Sequence, residues 1–135
     1  MRMNRNRNLR SLRSAAAFET FVLDQLGDLG GVVSKKMFGG IGLYLDGVFF
    51  GIIAGDELYL KVDETTRADY EREGMWPFKP YADRPTTMQY YAVPVGVLES
   101  SSELTRWARR AVMVALRGGT KKRPRRSQSS SVEED

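Results

Sequence analysis

Three glycines fall within four positions of an apolar, aromatic run, Lys35-Lys36-Met37-Phe38-Gly39-Gly40-Ile41-Gly42-Leu43-Tyr44-Leu45-Asp46-Gly47, and this segment limits the fold more than any other. Glycine is favoured where the backbone turns with positive φ or lies against something bulky, and inside a strand it marks a close approach. Gly39 and Gly40 are therefore expected to join two strands, and Gly42 to leave room for a large neighbour such as Trp107. Asp46-Gly47 has the composition of a two-residue hairpin turn. Ile41, Leu43 and Leu45 alternate before it, and Val48 to Ala54 reads as the returning strand.

The same pattern extends in both directions. Val32 to Phe38 reads as the strand before the glycines. Gly55-Asp56 turns into Leu58-Tyr59-Leu60-Lys61-Val62, where Leu58, Leu60 and Val62 share a face. Phe49-Phe50-Gly51-Ile52-Ile53 is apolar at alternate and intervening positions alike, which places it centrally with both faces covered. A phosphate cradle is disfavoured for the glycines, because such loops open a helix and here a strand follows.

Helical periodicity brackets this meander. Phe18, Phe21, Val22, Leu26 and Leu29 lie on one face of a helix from Ala15 to about Leu29, with Ser14 as cap and Gly30-Gly31 as stop. Asp63 suits the cap of a short helix from Thr66 to Glu73, ended by Gly74. Met75 to Arg84 is an aromatic, proline-rich loop expected to pack on the sheet edge. Thr86 to Val93 reads as a strand with Met88, Tyr90 and Ala92 on one face, ended by Pro94. The last helix opens with a Ser100/Glu103 capping box. It repeats Leu104, Trp107, Ala108, Ala111, Val112, Ala115 and Leu116 at spacings of three and one, and Gly118-Gly119 are expected to stop it.

Charge separates the ends from the body. Residues 1–14 hold Arg2, Arg5, Arg7, Arg10 and Arg13 with no acid, and residues 117–126 hold Arg117, Lys121, Lys122, Arg123, Arg125 and Arg126, also with none. Between them ten basic residues face 14 acidic ones, so the body is net negative although the whole chain carries +4. Basic ends of this kind give salt-sensitive attraction to phosphate or to an acidic protein partner, and Arg5, Arg7, Arg10 and Arg13, with Arg117 and Lys121, Lys122, Arg123, Arg125 and Arg126, are the candidate nucleic-acid contacts. Segments 1–14 and 118–135 read as disordered arms around one domain over 15–117.

The chain has no cysteine and no histidine. Disulfides and thiolate chemistry are excluded, and so is the side chain best suited to proton transfer near neutral pH. No catalytic, cofactor-binding or metal-binding residue is assigned. Asp63, Glu64, Asp69, Glu71 and Glu73 have the spacing of a solvated helix rather than that of an oxygen-rich calcium loop. Lys35, Lys36 and Lys61 would make a cationic patch if their strands were neighbours. Tyr44, Tyr59, Tyr90 and Tyr91 with Trp76 and Phe78 would line an aromatic pocket, the basis for an alternative small-ligand or enzymatic site among Lys35, Lys61, Tyr59 and Tyr90. The longest apolar run is far short of the roughly 20 residues of a membrane helix, and a cytoplasmic protein without membrane contact is expected.

Lys36-Met37-Phe38-Gly39-Gly40, Gly42-Leu43-Tyr44, Asp46-Gly47, Leu58-Tyr59-Leu60-Lys61, Phe78, Met88-Gln89-Tyr90-Tyr91 and Val93-Pro94 resemble the N-terminal domain family of TfoX (Sxy) from about Phe18 to Leu116. The resemblance implies a two-layer α+β domain, an antiparallel sheet packed by helices in the order α-β-β-β-α-β-β-α. It also implies a non-enzymatic regulatory or protein-interaction role, without cofactor, in a fold where homodimers are common. Full-length members regulate DNA-uptake competence with the cyclic-AMP receptor protein at promoters, which makes a transcription factor the implied protein partner. Those regulators carry a second, helical C-terminal domain, whereas positions 118–135 here read as a basic, then acidic, tail.

Overall fold

The computed structural model describes residues 16–37, 39–79 and 89–122. Its centre is one five-stranded sheet, entirely antiparallel, whose strands lie side by side in chain order. They are β1 (Val32–Met37), β2 (Gly40–Leu45), β3 (Val48–Ala54), β4 (Glu57–Lys61) and β5 (Tyr90–Ala92). A helix over residues 16–25, here α1, and a 3-10 turn at Gly27–Leu29 precede the sheet. The short α2 (Arg67–Arg72) crosses from β4 to β5, and a single turn, α3 (Val95–Leu98), leads into α4 (Ser101–Lys122).

The α+β class and the open antiparallel sheet are as expected. The strands divide four and one around α2, as the residue pattern reads, rather than the three and two implied by the family order. Residues 75–79 supply only an isolated bridge, Pro77 to Tyr91, with Phe78 N donating to Tyr90 O and Ala92 N donating to Trp76 O. Phe38, Met88, Ser14 and the arms 1–14 and 123–135 lie outside the described residues.

Each turn follows its residues. Asp46 at φ 51 and Gly47 at φ 80 form the positive-φ pair that matches the twist of the flanking strands. At Gly40 a Cβ would lie 2.8 Å from the Ile53 carbonyl oxygen on β3, so the backbones approach too closely for any side chain. Gly42 is equally crowded, but by different neighbours from those expected. Its Cβ would meet Met37 Sδ at 2.7 Å and the rings of Phe49 and Tyr44 at 3.2 Å. The expectation of Trp107 fails on parity. Leu43 faces the helices, so Gly42 and Tyr44 face the opposite side.

The helix-side core joins Val22, Leu26 and Leu29 to Leu43, Phe50, Leu58 and Leu60 of the sheet and Leu104, Trp107, Ala108 and Ala111 of α4. Between Leu43/Gly51 and Tyr44/Phe49 the register skips Phe50. This bulge drops the Phe50 ring into the core, where it is fully buried, and leaves Phe49 on the other face.

Helix α4 starts as its sequence indicates, with Ser100 Oγ accepting from Glu103 N at 3.2 Å. The Glu103 carboxylate does not complete the box; it takes Arg106 at 2.6 Å instead. The helix end is a correction. Gly118-Gly119 do not stop α4, which continues to Lys122. Two helical glycines cost about 1 kcal/mol each relative to alanine, but the preceding turns are already packed on the sheet. Basic residues in the last turn also complement the helix dipole.

Candidate functional site

The sheet has a second, differently built face. Tyr44 stacks on Phe49 (centroids 5.1 Å apart), and Phe49 lies against Tyr90 at 5.4 Å. Lys35 Nζ sits 5.0 Å from the centre of the Tyr44 ring, and Lys61 Nζ the same distance from that of Tyr90. Three rings thus run across the sheet, bracketed by two ammonium groups. Tyr59 tilts against Phe78 beside them. Ile52, Tyr59, Tyr90 and Ala92 are buried there as a small second core, with Met75 and Phe78 packed on it. Burial, with Tyr44 nearby, pushes the Tyr90 phenol above its usual range.

This arrangement brings Tyr44, Tyr59, Tyr90 and Phe78 to one face, as the sequence suggested, but separates other residues that it grouped. Lys35-Lys36 and Lys61 do not form one patch, because β2 and β3 stand between β1 and β4. Tyr91 points to the helix side, against Tyr70, and its hydroxyl donates to Glu71. Trp76 is nearly half exposed. The rings of the row are taken up by each other and by the two lysines, which uses the faces on which a base or flat ligand would stack. Trp107 serves the helix-side core, edge-on to Tyr70 at 4.7 Å, with the Arg110 guanidinium over its ring.

The suggested carboxylates are dispersed in the same way. Asp69 receives Arg110 Nη1 at 2.7 Å and also pairs with Arg72. The Arg110 hydrogen bond holds its carboxyl below the usual range. Asp63 does not cap α2 with its side chain. It builds the turn before the helix, accepting from the Thr65 backbone and hydroxyl, while Thr66 Oγ1 accepts from Asp63 N. Among the described residues no group of three such side chains is placed to hold a metal ion.

A feature with no sequence signal lies at the C-terminal end of α4. An open cleft of ≈ 960 Å³ is bounded by Lys61 to Thr65, Arg67, Gln89, and α4 from Val114 to Gly118. Arg117 Nη2 reaches Asp63 at 2.9 Å across 54 positions of chain, a pairing that no local pattern reveals. The Thr65 hydroxyl, with Arg117 beside it, holds the Asp63 carboxyl at about 2, below its ordinary 3.8. A carboxyl depressed by folding stabilises the protein above its unfolded pKa, and that contribution is lost as pH falls from about 4 towards 2. The pair is solvent-accessible, so the expected contribution is at most about 1 kcal/mol. Asp63→Asn is expected to remove this part of the acid dependence, read from urea midpoints in steps between neutral and acid pH. An unchanged profile would mean that the pair contributes nothing.

One open antiparallel sheet, helices on one face and a closed aromatic row on the other, defines a small two-layer α+β domain without an assembled catalytic set among the described residues. The family model for the TfoX N-terminal domain matches residues 24–115, and the chain belongs to that family. It is not a known enzyme family. The chain matches no curated protein. No helix among the described residues is long and apolar enough to cross a membrane.

Proposed function

We propose that this chain is a non-enzymatic regulatory interaction domain of the cytoplasm, whose basic ends contact nucleic acid beside a protein partner such as a transcription factor. The observation that carries the reading is the course of α4. A helix packed on a net-acidic body continues to Lys122, so the basic run from Arg117 to Arg126 begins on a structured element rather than on a loose tail. Nine of the eleven basic groups of the two ends are arginine, whose planar fork suits paired phosphate oxygens. Acidic partners hold Arg72, Arg106 and Arg110 of the net-acidic body, whereas residues 1–14 and 117–126 carry eleven basic groups and no acid of their own.

The test is the salt dependence of binding to a fluorescent DNA duplex of mixed sequence. Log K is expected to fall with log[salt] by about 0.9 for each phosphate contacted. Deleting residues 1–14, or changing Lys121, Lys122, Arg123, Arg125 and Arg126 to glutamine, is expected to flatten that slope by several contacts' worth. Equal slopes in all three proteins, or no binding by the full chain, would refute the reading.

A further inference from the structure

The two edges of the sheet differ. Along β5, Ala92 N donates to Trp76 O and Phe78 N to Tyr90 O, so the chain at 76–78 closes that edge with backbone hydrogen bonds. At the other edge, β1 pairs with β2 alone among the described residues. It offers outward N–H and C=O groups over six residues, the kind of edge to which an extended segment adds as a strand. Val33 stands half exposed on the aromatic face of β1, and Lys36 is exposed on its helix face. No acid falls between Leu29 and Leu45, and neither Lys35 nor Lys36 makes an ion pair among the described residues. Lys35 lies over the Tyr44 ring, a contact that leaves its outward N–H groups able to meet a carboxylate. Glu19 of α1, on the helix side, accepts from Ser34 Oγ.

We infer that Val132-Glu133-Glu134-Asp135 of this same chain adds to that edge as a strand parallel to β1, with Val132 beside Val33, Glu134 beside Lys35 and Asp135 beside Lys36. Charge complementarity selects the occupant. Positions 104–132 hold no acid, so Glu133, Glu134 and Asp135 are the only acids after Glu103, and β1 is an acid-free, lysine-bearing strand on a net-acidic body. The spacing matches as well: each valine stands two and three positions before the charges it accompanies. Reach allows the pairing. The end of α4 lies beside Lys61, at the same end of the sheet as Val33. From β4 to a strand beyond β1 is four strand spacings, about 19 Å, and nine residues, 123–131, span up to about 30 Å when extended. The parallel sense follows from that entry point and from the common order of valine and charges. Docked there, the three acids are held off the basic run from Arg117 to Arg126, and the open edge is withdrawn from pairing with other chains. The inference is independent of the nucleic-acid reading.

The experiment compares amide hydrogen exchange in the full chain and in a variant lacking residues 132–135, at low salt and at two protein concentrations. The alternate β1 amides that point away from β2 are expected to exchange about tenfold faster in the shortened chain, the loss of one hydrogen bond's net stabilisation. Amides of Leu43 and Phe50 in the core keep their rates. Lys35→Glu with Lys36→Glu is expected to speed the same β1 amides equally. Adding Glu134→Lys and Asp135→Lys to that protein restores their protection, a rescue that a folding defect does not give. Equal exchange in the full and shortened chains, or failure of the reversed charges to restore protection, would overturn the inference. Amide resonances that move on shortening at Arg117 to Lys122 and not at β1 would place the acids on the basic run and overturn it too. Protection lost on dilution would assign the added strand to a second copy and overturn its assignment to the same chain.

Discussion

Phe50→Ala is expected to destabilise the protein by about 3–5 kcal/mol, the range for removing a large aromatic side chain from a packed core. The Phe50 ring has no solvent exposure and sits where the sheet, α1 and α4 meet. Its neighbour offers an internal control. Phe49 lies on the opposite face, half-buried between Tyr44 and Tyr90. Phe49→Ala is expected to lose the smaller stabilisation of an aromatic contact plus partial burial, about 1–2 kcal/mol. The difference between two adjacent phenylalanines depends on the bulge that skips Phe50 in the pairing of β2 with β3. Urea unfolding of both variants checks it, with the midpoint shifting at constant slope. Equal losses would mean that the two rings do not occupy different faces.

Gly40→Ala is expected to be nearly as damaging, about 2–3 kcal/mol, although it adds a single methyl group. The obstacle is the Ile53 carbonyl oxygen 2.8 Å from the new Cβ, and a backbone oxygen held in a sheet ladder cannot swing aside as a side chain can. Gly42→Ala should be milder, because the nearest atom there is the sulfur at the flexible end of Met37. Gly39→Ala meets nothing within 4 Å and is strained only by its φ of +80, about 1–2 kcal/mol. The expected order of melting temperatures is therefore Gly39→Ala and Gly42→Ala above Gly40→Ala. A Gly40→Ala protein as stable as the parent would show that the two strands do not approach as described.

Much of the fold is legible in the sequence, because its signals are local. The alternation of Ile41, Leu43 and Leu45, the Asp46-Gly47 turn and the apolar run of β3 each state a strand or a turn within a few residues. The same holds for the start of α4, where Ser100 and Leu104 announce the cap and the buried stripe. What escapes is set by packing. Gly42 shows that a close approach is needed, but only the parity of β2 decides whether Trp107 or Phe49 makes it. Gly118-Gly119 carry the composition of a stop, yet the turns packed before them let α4 continue.

The site is less legible for the same reason. Of the lysines and tyrosines that look like one cluster along the chain, Lys35, Tyr44, Tyr59, Tyr90 and Lys61 share one face with the lysines at either end of the ring row, while Tyr91 turns to the other face. Conversely, the cleft is assembled from Lys61, Arg67 and Arg117, which no spacing rule connects. The basic composition of the ends is legible in the sequence, and the run of α4 to Lys122 gives the first part of the second basic stretch a location.

That location is tested most directly by following backbone amide resonances of the full chain as the mixed-sequence DNA duplex is added. The account predicts shifts confined to α4 from Arg117 to Lys122 and to the basic arms, while Val33, Lys35 and Tyr44 on the aromatic face stay unmoved. Shifts centred on Lys35, Tyr44 and Phe49, with the end of α4 unmoved, would contradict it.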